Sequence, residues 1–255
     1  MTVLLPLLRV QALSRRFGGL QAVQDVSFDM AAGEILGLMG ANGAGKTTLF
    51  AMIAGNLPPS SGQIQFDGKP LPVGPAHVCQ CGIARTFQIV RPFAGMTVLD
   101  NCMVGALYGS GRIKDRVAAR NRCLDLLEEV GLAAQAQALA GTLTLAARKR
   151  LEIARALATQ PRLLLLDEVL AGLNAAEVDE ALALINRVRV RYELSIIIIE
   201  HVMKVLMRMS QRIVVLHEGR KLTEGLPAEV ANDPRVIGAY LGTGGSCQGE
   251  TLNAA

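Results

Sequence analysis

The sequence predicts an α/β fold built on a mostly parallel sheet, and three observations carry that reading. The apolar run Ile35-Leu36-Gly37-Leu38-Met39 has strand length. It leads through a glycine-rich stretch into a helix-forming run from Thr47 to Ala54. Two further runs, Leu163 to Leu166 and Ile196 to Ile199, are apolar at every position, which suits central parallel strands covered on both faces. A helical stretch from Ala176 to Tyr192 separates those two strands.

The glycine-rich stretch is Gly40, Ala41, Asn42, Gly43, Ala44, Gly45, Lys46, Thr47 and Thr48. Gly, four residues, then Gly-Lys-Thr is a phosphate cradle: small residues let successive backbone N–H groups turn inward around phosphate oxygens. Lys46 reaches toward the β- and γ-phosphates and the Thr47 hydroxyl toward magnesium. The following helix aims its positive N-terminal end at the same anion.

Bulk properties set bounds. At 255 residues the chain can bury a sizeable core as one large domain, or as one domain with a subdomain. It is 51% hydrophobic and 19% charged, yet no apolar run approaches the roughly 20 residues of a membrane helix. The opening Met1 to Pro6 has no basic segment or cleavage site, so no secretory signal is expected. A net charge of +4 is scattered without a block of like charge, so no nucleic-acid partner is expected. Five irregularly placed cysteines fit a reducing compartment, and Cys79-Gln80-Cys81 beside His77 lacks the spacing of a zinc site.

Along the chain, Leu8 to Leu13 and Ala22 to Phe28 alternate as two strands joined through Phe17-Gly18-Gly19. Phe17 lies in the connection, where it can stack on a nucleotide base or plug the sheet edge. Pro58 to Gly62 is a turn, Gln63 to Phe66 a strand, and Pro70 to Gln80 is loop-rich. A short apolar run from Ile83 ends in Arg85-Thr86-Phe87-Gln88. From Met96 to about Thr142 the pattern is a helical insertion: Thr97 caps one helix and Asp115 begins another. The second carries Val117, Leu124, Leu127 and Val130 as its apolar stripe, and Gly131 stops it. Leu145 to Thr159 is a helix whose Arg148, Lys149, Arg150 and Arg155 mostly form a solvated face.

The strand Leu163 to Leu166 ends in Asp167-Glu168, at the edge where open α/β sheets bind ligands. Downstream of a phosphate loop, one carboxylate there suits magnesium and the other an attacking water. The strand Ser195 to Ile199 ends in Glu200-His201, and a histidine at that edge can bond a γ-phosphate oxygen. A hairpin around Glu218-Gly219-Arg220, a helical region from Pro227 to Leu241 and a polar, Gly/Ser-rich tail complete the chain.

With these pieces in this order, the chain resembles the ATP-binding subunit of ATP-binding-cassette (ABC) transporters over residues 7–242. The resemblance implies a P-loop NTPase, an ABC-type nucleotide-binding domain. Its core sheet is mostly parallel, beside an antiparallel β subdomain and an α-helical subdomain inserted over about residues 90–160; the tail 243–255, outside the resemblance, is expected to be disordered from its composition. It implies that Phe17 stacks on the base, that Gly40 to Thr48 is the Walker A loop and that Leu163 to Asp167 is the Walker B strand. Thr47, Gln88 and Asp167 then serve the metal, with Glu168 catalytic, Gln88 the Q-loop glutamine and His201 the switch histidine. ATP and Mg²⁺ are the implied cofactors. The implied partners are integral membrane permease subunits, a second ABC ATPase subunit (the same chain or a different one) and, indirectly, a solute-binding protein. The implied place is the cytoplasmic face of the inner membrane.

Arg85-Thr86-Phe87-Gln88, Ala171-Gly172-Leu173-Asn174, Ile199-Glu200-His201 and Ala239-Tyr240-Leu241-Gly242 resemble, more narrowly, the subunit of branched-chain amino acid importers. Urea, lipopolysaccharide, or a mechanical role without transport are the alternatives. One departure stands out. The family signature Leu-Ser-Gly-Gly-Gln, which contacts the opposite subunit's ATP, falls on Leu143-Thr144-Leu145-Ala146-Ala147. Thr144 keeps the hydroxyl, but Ala146 replaces a glycine whose missing Cβ lets backbone N–H approach phosphate. Val169 replaces a proline.

Overall fold

A computed structural model describes residues 5–86, 90, 92–200 and 202–241. The chain opens with β1 (Leu8–Phe17), β2 (Leu20–Met30), β3 (Ile35–Met39) and α1 (Lys46–Ile53), followed by β4 (Ser61–Phe66), β5 (Lys69–Pro70), α2 (Pro75–Gln80) and β6 (Ile83–Arg85). The insertion supplies α3 (Val98–Tyr108), α4 (Arg116–Glu129) and α5 (Leu145–Ala158). Next come β7 (Leu163–Asp167), α6 (Ala175–Arg191), β8 (Ser195–Ile199), α7 (Met203–Met209), β9 (Arg212–His217), β10 (Arg220–Gly225), α8 (Pro227–Ala231) and α9 (Pro234–Leu241).

Two sheets result. Strands β1, β2, β4 and β5 form an antiparallel sheet in the order β2-β1-β4-β5. The core sheet runs β10-β9-β3-β8-β7-β6, parallel except where β10 turns back on β9. Its all-apolar strands are explained by two separate cores. Met39, Leu164, Leu166, Ile196 and Ile198 pack on the side of α3 to α6, whereas Leu36, Leu38, Leu163, Leu165 and Ile197 pack with α1 and the antiparallel sheet. Burial of each such side chain contributes about 1.5–3 kcal/mol, so a one-residue slip is costly on both faces. The C-terminal ends of β3, β7 and β8 therefore meet along one rim.

The caps read from sequence are present: Thr97 accepts from Asp100 N–H, Asp115 from Val117 N–H, and Gly131 leaves α4 at φ +74°. Other readings need correction. The stretch read as loop-rich contains α2, which Pro75 starts at a position where a missing N–H costs nothing. Phe17 is the last residue of β1 rather than part of the connection. Val117 is 66% exposed; Ala119, Cys123, Leu126 and Leu127 form the buried face of α4. Gln88, His201 and the tail 243–255 lie outside the described residues.

Candidate functional site

Each end of the glycine loop is closely packed. A Cβ on Gly40 would lie 2.5 Å from the Leu216 carbonyl oxygen, and one on Gly45, at φ +99°, 2.6 Å from that of Ala22. Gly43 has φ +79° with open space beside it. Gly45 is the N-cap of α1 and offers no side-chain cap, so the first-turn N–H groups keep their capacity for an anion. The β9–β10 turn holds the loop from behind: Gly219 N–H donates to the Ala44 carbonyl at 3.1 Å, and Gln24 N–H to the Gly219 carbonyl at 2.7 Å.

Lys46 is 6% exposed and folds across the loop, donating to the carbonyls of Gly40 at 2.6 Å and Ala41 at 3.0 Å. Burial pushes its ammonium below the usual lysine value, against the pull of Glu168 and Asp167.

A cavity of about 540 Å³ unites residues separated in sequence: Phe17, loop residues 42–48, Glu168 and the Glu218-Gly219 turn all line it. Phe17 is 44% exposed on its rim, with the Arg15 guanidinium 4.7 Å from the ring centre. Asp167 and Glu168 are both buried. Glu168 adopts φ +50°, a strained conformation for a side-chain-bearing residue, and its N–H donates to the Ile199 carbonyl at 3.0 Å. Asp167 is clamped from β6: Arg85 Nη2 donates to its Oδ2 at 2.7 Å, and its own N–H donates to Thr86 Oγ1 at 3.3 Å.

The cradle fits a nucleotide's phosphate tail: residues 42–48, Lys46 among them, line the cavity, and the α1 N-terminus has no side chain capping its first-turn N–H groups. The Thr47 hydroxyl and Asp167 carboxylate are hard oxygen donors of the kind magnesium takes. Thr144 and Ala146 do not join this cavity. Thr144 is exposed as the N-cap of α5, its hydroxyl accepting from Ala147 N–H at 3.3 Å.

Three contributors escaped the sequence reading. Lys149, placed on a solvated face, is 7% exposed and donates to the carbonyls of Glu168 and Val169. Glu200 Oε1 accepts from Leu170 N–H at 3.0 Å, bracing the same turn. Arg85 was legible only as a polar residue ending a short strand.

A parallel sheet that carries a glycine loop after one strand and an Asp-Glu pair at the end of another defines a P-loop nucleotide hydrolase. The family model described as ABC transporter matches residues 23–171, and the chain belongs to that family as one of its ATP-hydrolysing subunits. Residues 220–246 match a second model, Branched-chain amino acid ATP-binding cassette transporter.

The chain is 39% identical over 250 residues to the high-affinity branched-chain amino acid transport ATP-binding protein BraF of Pseudomonas aeruginosa, covering 93% of this chain and 98% of that protein. Identity to LivG of Salmonella typhimurium, which carries the same description, is 41% with the same coverage. The lipopolysaccharide export system ATP-binding protein LptB of Acidithiobacillus ferridurans is 35% identical over 237 residues, 92% of this chain and 97% of that protein. Among solved structures, the ADP conformation of an ATP-binding cassette of an ABC transporter superimposes with TM-score 0.83 at 28% identity, covering 93% of this chain and 99% of that one. Among the described residues, no helix is long and apolar enough to cross a membrane.

Proposed function

We propose that the chain powers an importer of branched-chain or related amino acids, as a peripheral subunit on the cytoplasmic face of the inner membrane. Its partners are integral permease subunits and a second cassette, with a solute-binding protein acting indirectly. The observation that carries the site is the single cavity shared by Phe17, the glycine loop, Lys46 and Glu168. Support for the cargo comes from the match over residues 220–246 and from the descriptions of the relatives at 39% and 41% identity.

In this reading the loop amides and Lys46 hold the phosphate tail of ATP, and Phe17 stacks on its base. Thr47 and Asp167 hold Mg²⁺, which when bound neutralises charge on the phosphoryl oxygens. Glu168 orients the attacking water and takes its proton. Gln88 and His201, through the family resemblance, contact the γ-phosphate, and Gln88 also serves the metal. Thr144 and Ala146, away from this cavity, face the nucleotide of the opposite cassette, so two chains close head to tail over two ATP molecules.

Glu168→Gln tests the site: turnover falls by about 10²–10⁴-fold, the range for a lost general base, while ATP binding stays intact. An unchanged rate removes Glu168 from the role. Uptake of labelled leucine in cells lacking this chain tests the cargo. Uptake at the wild-type level, with lipopolysaccharide export or urea uptake lost instead, would replace it.

A further inference from the structure

Asp167 is 2% exposed, and its carboxylate is engaged by a cation from a neighbouring strand. Arg85 and Asp167 lie on adjacent parallel strands, with Arg85 opposite Leu165. Arg85 Nη2 donates to Asp167 Oδ2 at 2.7 Å, and the guanidinium sits 5.9 Å from the ring centre of Phe50, a fully buried residue of α1. Thr86 fixes the backbone on the same side, its hydroxyl accepting from Asp167 N–H at 3.3 Å. Lys46, whose ammonium Asp167 also attracts, donates instead to the loop carbonyls of Gly40 and Ala41.

We infer that Arg85 is the resting counter-ion of Asp167, restraining divalent-cation capture until a nucleotide's phosphates enter the cavity. The inference rests on the reading of Asp167 as a magnesium ligand. The guanidinium therefore balances the carboxylate's charge in place whenever no divalent cation is bound beside it. A divalent cation approaching Asp167 meets the repulsion of the guanidinium in a site where water screens poorly. The phosphate tail brings enough negative charge to outweigh that repulsion. Cation and nucleotide therefore load together. The pair also holds the carboxylate in one orientation, but removing a full positive charge so near the cation outweighs freeing one short side chain. Arg85 is thus a positioning residue: it holds the Asp167 carboxylate and repels the cation through space without coordinating it.

The test is Mn²⁺ binding to the full-length chain, read from the electron paramagnetic resonance signal of free Mn²⁺, without nucleotide and with ADP, corrected for Mn²⁺ held by ADP in solution. In the wild type, ADP must tighten Mn²⁺ binding; equal affinity with and without it overturns the inference. Arg85→Gln and Arg85→Met, checked for folding by circular dichroism, are expected to tighten nucleotide-free Mn²⁺ binding by about tenfold and to shrink the ADP effect. Arg85→Lys, which keeps the charge, should match the wild type. Unchanged or weaker nucleotide-free binding in folded Arg85→Gln overturns the inference, as does equal tightening in Arg85→Lys. Asp167→Asn separates the underlying reading: if it leaves Mn²⁺ binding in the presence of ADP intact, Asp167 does not hold the cation at all.

Discussion

Lys149 Nζ donates to the main-chain oxygen of Glu168 at 3.3 Å and to that of Val169 at 2.8 Å, so α5 is bonded directly to the turn that presents Glu168. The ammonium is buried, and burial lowers its pKa against the opposing pull of Glu200, Glu152 and Glu168. Thr144 begins the same helix. One rigid element therefore connects Thr144 to the turn that carries Glu168.

Lys149→Met follows from that bond. The apolar side chain fills a similar volume but removes the ammonium from the Val169 carbonyl, while the Glu168 carbonyl keeps Ala171 N–H at 3.2 Å, at a cost of about 1–3 kcal/mol. Urea unfolding should show the loss. Turnover should fall more than nucleotide affinity, because Glu168 is displaced while the loop at residues 40–48 is untouched. Wild-type stability and turnover in this variant would show that the two bonds carry nothing.

Lys46 gives a pH dependence with a definite sign. Its folded-state pKa is lowered from 10.5 by burial. Between the lowered value and 10.5 the unfolded chain binds more protons, so this group's contribution to stability grows with pH across that window. The contribution is fully present above 10.5 and is lost as pH falls through the lowered value. Nucleotide binding runs the other way, since phosphates favour the charged ammonium. Affinity for a fluorescent ADP analogue should start to fall below 10.5 as pH rises, with proton uptake on binding. Lys46→Met should weaken affinity and flatten that limb; a limb that persists in the variant belongs to another group.

The parts legible in sequence were those whose partners lie close by along the chain. Gly40 to Thr48 declares its geometry through three glycines and a lysine, and Thr97 and Asp115 declare helix starts through bonds two or three residues away. Asp167-Glu168 was legible because an apolar strand runs straight into it. Lys149 was not, since a lysine on a helix reads as solvated and its acceptors lie 19 and 20 residues further on. Arg85 and Asp167 are 82 residues apart and meet only once β6 pairs with β7. On α4 the apolar periodicity pointed to Val117, whereas the helix turns its small residues Ala119 and Cys123 inward, where α3 packs closely.

The altered signature supplies the remaining prediction. Thr144 is exposed at the start of α5 with its hydroxyl engaged by Ala147 N–H, so the helix end is formed and directed outward. In the proposed head-to-tail pair it lacks the glycine at 146, whose missing Cβ would let backbone N–H approach the partner's phosphate. A purified homodimer should therefore hydrolyse ATP slowly, and pairing with a cassette whose signature is intact should restore the rate at the site that signature closes. Ala146→Gly should raise homodimer turnover by about tenfold or more, the worth of one hydrogen bond to a charged group. It should also lower helix stability by about 1 kcal/mol, because glycine is a poor helix former. The opposite signs matter: a variant that gains rate while losing stability cannot owe the gain to better folding. Ala147→Gln is the less clean test, since Ala147 packs against the core beneath α5 and a longer side chain there disturbs the helix itself. Equal turnover for the wild-type and Ala146→Gly homodimers would mean that the Cβ at 146 does not limit closure.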